Sequence, residues 1–249
     1  MRLIDTHAHL SDLTDMEGVV RRAKEVGVKA IVAVSANLRS CAKTLLWAKE
    51  FPGYVHPALG LHPTELTGDN LAGTLQFIKK SIGECIAVGE IGLDYWRGKT
   101  EKDGVILERQ REIYKTQLEL AEEHNKPVSV HGRGAWRDAL KFARRFGPGR
   151  VVFHWYSGPL DLLEEVMDSG YFISATQAAE FSRDHRAAIA DAPLDRVLIE
   201  TDSPVGYHGK SSEPANLVRT LRAVAELRRM SAEELAEVTT RNAERFFCI

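Results

Sequence analysis

His7 and His9 stand two residues apart just after a short apolar run at the start of the chain. Side chains two apart on a strand face the same side, so both imidazoles can project together from the strand's end, which is metal-ligand spacing. The bland alternative for an isolated His-x-His is one buried, hydrogen-bonded histidine beside a surface one. Context weighs against it, because Glu90, His131, His154 and Asp202 each fall at the C-terminal end of another predicted strand. Singly, each has a structural explanation: an ion-pair partner for Glu90, a satisfied core histidine for His131 and for His154, a helix cap for Asp202. Jointly these explanations are poor, since buried ionisable groups are costly unless paired or bound to metal. Four imidazoles with a Glu and an Asp form a mixed nitrogen and oxygen set suited to Zn²⁺, Mn²⁺, Fe²⁺ or Ni²⁺. A bridging carboxylate can hold two such ions about 3.5–4 Å apart.

The elements that must position these groups recur as a short apolar run followed by a helical pattern. The runs are Arg2–Asp5, Val28–Val34, Tyr54–Leu61, Ile86–Ile91, Pro127–Val130, Arg150–Phe153, Tyr171–Ala175 and Arg196–Ile199. Several are near-continuous rather than alternating, as parallel strands covered by helices must be. Between them lie amphipathic stretches at Glu17–Val26, Ala42–Lys49, Leu71–Ile82, Leu107–Glu123, Arg137–Phe146, Leu160–Asp168, Ala179–Ala190 and Ala215–Leu227. Eight strand-plus-helix units predict an α/β fold, a single (β/α)8 TIM barrel, in which the candidate ligands share the functional C-terminal face. Ser231 and Glu234 form a capping box for one closing C-terminal helix. An open doubly wound sheet is the competitor, but it usually carries a Gly-rich phosphate turn after its first strand, where this chain has Asp5-Thr6-His7-Ala8-His9.

The 249 residues are 44% apolar and 27% charged, which excludes a disordered, collagen-like or disulfide-stapled chain. No Pro/Gly/Ser-rich linker divides them, so residues 1–249 are expected to form one domain. With 33 basic and 35 acidic residues the formal net charge is −2, so nothing in the total marks a polyanion-coating protein. Cys41, Cys85 and Cys248 are far apart and odd in number, a reduced set. No stretch approaches the about 20 apolar residues of a membrane span, and the expected location is cytoplasmic. Nothing points to a membrane or to an obligate protein partner.

The words around the candidate ligands resemble a known family. Asp5-Thr6-His7-Ala8-His9, Leu59-Gly60-Leu61-His62-Pro63, Gly89-Glu90-Ile91-Gly92-Leu93-Asp94-Tyr95, Pro127-Val128-Ser129-Val130-His131-Gly132-Arg133, His154-Trp155-Tyr156-Ser157-Gly158 and Glu200-Thr201-Asp202-Ser203-Pro204 follow the order seen in TatD-type metal-dependent deoxyribonucleases. Gln110 and the closing Asn242-Ala243-Glu244-Arg245-Phe246-Phe247 extend the match over essentially the whole chain. The resemblance implies an amidohydrolase-type barrel with two divalent ions, whether zinc, magnesium, manganese or similar. His7, His9, Glu90 and Asp202 would hold one ion, and Glu90, His131 and His154 the other, with Glu90 as bridge. It also implies hydrolysis of DNA phosphodiesters, often from the 3′ end. Independently of the family, two ions lower the pKa of a bound water and polarise the scissile phosphoryl oxygen, and Asp202 is placed to accept or relay the proton.

Supporting roles follow from position. Glu200, two before Asp202, faces the same way and supports the site from within the barrel; His62 can touch a phosphate, or belong to a turn; Asp94 can orient an imidazole, or cap its loop. Arg97, Lys99, Lys102, Arg133, His208 and Lys210 are candidate phosphate-binding cations, and Tyr95, Trp96, Trp155 and Tyr156 candidate base-stacking surfaces. Their alternative is solvated loop charge and ordinary packing. Where the family commonly has Cys-Phe after the sixth-strand histidine, this chain has Trp155-Tyr156, and Ser211-Ser212-Glu213-Pro214 replaces Arg-Asn-Glu-Pro. The metal ligands are therefore expected to hold while substrate identity stays open. The alternative function is an ester or amide hydrolase on the same metals, such as a D-aminoacyl-tRNA deacylase or a lactonase. Another is a non-catalytic binding barrel, which should lack a ligand, and none is missing.

Overall fold

The computed structural model describes residues 1–66, 71–96, 104–207 and 209–249. Arg97, Lys99, Lys102 and His208 lie outside them. The near-continuous apolar runs become strands: β1 (Leu3–Ala8), β2 (Val28–Val34), β3 (Val55–Leu59), β4 (Ala87–Gly92), β5 (Val128–His131), β6 (Val151–Phe153), β7 (Phe172–Ala175) and β8 (Val197–Ile199). Each pairs in parallel with the next in chain order. The intervening helices are α1 (Met16–Glu25), α2 (Leu38–Glu50), α3 (Leu71–Ser81), α4 (Gly104–Glu123), α5 (Trp136–Phe146), α6 (Leu160–Asp168), α7 (Arg183–Asp191) and α8 (Leu217–Arg228). This is the TIM barrel that the repeating pattern requires.

The seam between β8 and β1 is held differently from the other seven. A single bridge joins Ala8 to Ser203, and side chains supply further bonds: Thr6 Oγ1 donates to Ile199 O at 3.0 Å, and Thr201 N donates to Asp5 Oδ1 at 2.9 Å. Both lie beside residues of the candidate site.

Among the described residues apolar side chains form three clusters, the smallest around Cys41, Leu59, Ile78 and Cys85. Ile4, Ala30, Val32, Val34, Ala58, Ala87, Val152, Phe172 and Leu198 cluster with Ala243, Phe246 and Phe247 of the last helix, α9 (Ala232–Phe247). A larger layer, including Leu3, Ile31, Val20, Leu118, Leu140, Leu163, Ile189 and Leu221, lies between strands and helices. The capping box that starts α9 is present, with Glu234 N donating to Ser231 Oγ at 3.2 Å and Ser231 N to Glu234 Oε2 at 3.0 Å. Among the described residues no helix is long and apolar enough to cross a membrane.

Two local expectations are corrected, and one element is added. The stretch Ala179–Ala190 is not one helix: a 3-10 turn, Gln177–Glu180, precedes α7. The Thr176 hydroxyl accepts from Ala178 N at 3.1 Å and starts the turn two residues early, while Phe181 and Ser182 interrupt it. Helix α2 starts at Leu38 because Asn37 and Ser40 cap it reciprocally. A short hairpin, β9 (Gly206–Tyr207) with β10 (Lys210–Ser211), rises after β8 where the sequence offers no clear strand pattern.

Phe246 packs against Phe172 with ring centroids 5.0 Å apart and planes tilted by 60°, at the barrel end remote from the candidate site. Phe246→Ala should lower the unfolding free energy by about 3–5 kcal/mol in urea titrations. Turnover per folded molecule should stay near that of the unmodified protein, because the chemistry is at the other face.

Candidate metal centre

The strand ends bring all six candidate ligands together. Glu90, on β4, is 2% exposed and presents its two oxygens to two sets of imidazoles. Its Oε2 lies 3.4 Å from His7 Nε2 and 3.2 Å from His9 Nε2, and both nitrogens are 3.5–3.6 Å from Asp202 Oδ1. Its Oε1 lies 2.8 Å from His131 Nδ1 and 2.8 Å from His154 Nε2. Like atoms also face one another, His7 Nε2 and His9 Nε2 at 3.4 Å, His131 Nδ1 and His154 Nε2 at 3.3 Å. Nitrogen lone pairs converge at such distances where a proton or a cation joins them, so this donor set fits divalent metal.

The outward nitrogens of three rings are also held. His131 Nε2 is 2.9 Å from Asp94 Oδ2, His154 Nδ1 is 3.3 Å from Glu200 Oε1, and His7 Nδ1 is 3.0 Å from the hydroxyl of Ser129. A carboxylate behind an imidazole fixes the tautomer that keeps the inward nitrogen free to ligate. Asp94 and Glu200 occupy such positions.

His62 differs. Its Nε2 lies 3.2 Å from Glu90 Oε1, close enough to be grouped with Glu90 and His131 as a further metal-binding trio. Yet Thr64 N donates to His62 Nδ1 at 3.2 Å, so in the neutral ring the proton sits on Nε2. That nitrogen is then a donor pointing into the site, suited to an oxygen of substrate rather than to a cation.

Electrostatics follow from the crowding. Burial opposes charge on His9, but its hydrogen bonds to Asp202 and Glu90 outweigh that and push its pKa up to about 10. Burial is likewise overcome at His154 by Glu90 and Glu200, and at His131 by Asp94 and Glu90, so both are raised. Glu90 is held well below the usual carboxylate range, its burial outweighed by the surrounding imidazoles, and Asp202 is lowered the same way by His9, His154 and His7. For His62 burial wins and the pKa falls, keeping the ring neutral.

Backbone features set these distances. Ser35, just past β2, bonds across to β4: its N–H donates to Gly89 O at 3.2 Å, and Glu90 N donates to its carbonyl at 2.9 Å. Gly60, which follows β3, lies between them; a Cβ there would stand 2.6 Å from Glu90 O, so only glycine lets β4 lean over. Trp155 and Asp202 both adopt left-handed backbone, φ 44° and 51°, in the loops that follow the sixth and eighth strands. For residues with a Cβ that conformation is uncommon and clusters at functional sites. At Asp202 it is held by Asp202 N donating to His7 O at 3.0 Å.

Some residues that brace the site are given no organising role by the sequence. Asp5 is fully buried and accepts from both Thr201 N at 2.9 Å and Thr201 Oγ1 at 2.6 Å, clamping the residue between Glu200 and Asp202. Burial raises its pKa to about 7 despite those bonds. Gln110 and Gln117 of α4 hold the loops after β4 and β3 by their backbones. Two glutamines seven apart on the covered face of a helix, where apolar residues belong, are the signal that could have found Gln117.

A cavity of about 780 Å³ opens above the centre, lined among others by His9, His62, Glu90, Arg133, His154, Trp155, Phe181 and Asp202. Arg133 reaches it, with its guanidinium 5.1 Å from the Trp96 ring centroid. Tyr156 is corrected as a stacking surface: it is 0% exposed and its hydroxyl donates to Pro159 O. Tyr95 is tied to Asp138 and Arg111, and Lys210 is exposed on the hairpin.

Asp5→Asn should weaken divalent-metal binding about 10–100-fold in calorimetric titration of chelator-treated protein, with near-ultraviolet circular dichroism unchanged, because it loosens the Thr201 clamp. Metal uptake should also expel protons from the raised imidazoles. In weakly buffered solution at neutral pH the protein should acidify on metal addition, and apparent affinity should climb as pH rises.

The family model for TatD related DNase matches residues 4–248. The chain is 32% identical to the uncharacterized metal-dependent hydrolase YabD of Bacillus subtilis, over 99% of either chain. It is 31% identical to the human deoxyribonuclease TATDN3, covering 98% of this chain and 94% of that one. The crystal structure of YjjV, a TatD homolog from Escherichia coli, superposes with a TM-score of 0.89 at 30% identity, covering 100% of this chain and 98% of the other. The chain belongs to the TatD family of metal-dependent hydrolases.

Proposed function

We propose that this protein is a two-metal phosphodiesterase acting on DNA. The observation that carries the reading is the division of Glu90 between two imidazole sets, His7 and His9 with Asp202 on one oxygen, His131 and His154 on the other. One ion would be held by His7, His9, Glu90 and Asp202, the second by Glu90, His131 and His154. When bound, such a pair acidifies water and polarises a phosphoryl oxygen. DNA as substrate draws support from the deoxyribonuclease named among the relatives. A cup closed at its floor favours a strand end over the middle of a strand, and 3′ to 5′ polarity rests on the family resemblance alone.

The chain's own residues have separate tasks. The Asp202 carboxylate would accept the proton of the attacking water at the floor of the cavity, beside Glu90. His62 Nε2–H donates to an oxygen of the phosphate. Asp94 and Glu200 keep His131 and His154 turned inward, and Arg133 attracts the neighbouring phosphate.

Metal-reconstituted protein should shorten end-labelled single-stranded DNA, lose that activity on chelation, and slow as salt rises, since phosphate binding releases counterions. Hydrolysis of carboxylic esters or amides without hydrolysis of any nucleic acid would overturn this reading in favour of a deacylase or lactonase. Asp202→Asn should lower kcat by about 10²–10⁴-fold at saturating metal and substrate. Its unfolding transition should remain cooperative.

A further inference from the structure

The cavity above the metal centre has unlike walls. Trp155, Ala178, Phe181, Pro204 and Val205, from the loops after β6, β7 and β8, make one side mainly apolar, with Ser157 and Ser182 among them, whereas Arg133 and Trp136 stand on the side of β5. Phe181 is 50% exposed and Trp155 is half-buried. Behind both rings lies Tyr207 of the β9–β10 hairpin, 4% exposed, with its ring centroid 5.6 Å from that of Trp155 and 6.4 Å from that of Phe181. Its hydroxyl donates to Thr201 O at 3.2 Å, one residue from Asp202. Trp155 is anchored to the same structure through its main chain, its backbone N–H donating to Glu200 Oε1 at 3.1 Å and to Ser174 Oγ at 3.0 Å. The Trp155 backbone and the Tyr207 hydroxyl are therefore tied to residues next to the reacting centre.

We propose that Trp155 and Phe181, backed by Tyr207, form the platform on which the nucleobase beside the scissile phosphate stacks. This rests on the phosphodiesterase reading above. A wall of ring faces with a charged floor matches the two ends of a nucleotide: the base takes up apolar and π surface while the phosphate meets the metal centre. Stacking tolerates any base, because every base has a π face. It also requires a face that is not already occupied, so the base must leave a duplex before it reaches the wall.

The test compares Trp155→Ala and Phe181→Ala on a single-stranded oligonucleotide and on the same strand with an abasic residue beside the scissile bond. Phe181 is on the surface, so its variant keeps the measurement informative if the Trp155 variant folds poorly. Each substitution should raise KM roughly 5–150-fold on the intact strand with kcat little changed, and should have little effect on the abasic strand. Fluorescence anisotropy with labelled strand and chelator-treated protein should show the same loss of affinity without any turnover. Equal losses on both strands, or unchanged KM and affinity on the intact strand, would overturn the platform while leaving DNA hydrolysis standing. Ester or amide cleavage by the unmodified enzyme without nucleic-acid cleavage would instead overturn the reading beneath it.

Discussion

A carboxylate at the floor of a closed barrel has to be neutralised where it stands. Glu90 is surrounded by five imidazole nitrogens, of His7, His9, His62, His131 and His154, each within 3.4 Å of one of its oxygens. An isolated buried charge is costly enough that the group would otherwise change its protonation state. Without metal His9, His131 and His154 hold protons against Glu90 and Asp202, and with metal their lone pairs would face a cation. One constellation thus has two compensated states, and the choice between them is an exchange of protons for metal.

The division of labour between the two ends of the barrel follows from this concentration of charge. The end plugged by α9 is apolar and packs Phe246 and Phe247 against the strands. The other end carries the ionisable groups, so it cannot be sealed with the same kind of packing and is braced by hydrogen bonds instead. Asp5 with Thr201 tightens the β8–β1 seam, Ser35 ties β2 to β4 over Gly60, and Ser129 steadies His7 from β5. These groups need not touch substrate to matter, because a ligand that drifts by an ångström no longer meets its partner's lone pair.

Substrate selection is drawn from a different part of the chain. The centre is built on strand ends, but the wall above it comes from a 3-10 turn, a left-handed residue and a two-residue hairpin. Such segments can change without disturbing the barrel, which lets one hydrolytic centre serve different leaving groups.

Much of this was legible in the linear chain. Near-continuous apolar runs alternating with helical periodicity require a covered parallel sheet, and metal-competent residues at equivalent strand ends must then share a face, as His7, Glu90, His131, His154 and Asp202 do. Local rules also sufficed for the Ser231–Glu234 cap. What the chain alone left open depends on side chains far apart in sequence. Whether Tyr156 faces solvent, which proton His62 carries, how Asp5 reaches Thr201 and where Phe181 stands relative to Trp155 are all outcomes of packing. Periodicity specifies which face of an element is covered; it carries no information about the partner that covers it, and that partner decides a side chain's exposure, tautomer and charge.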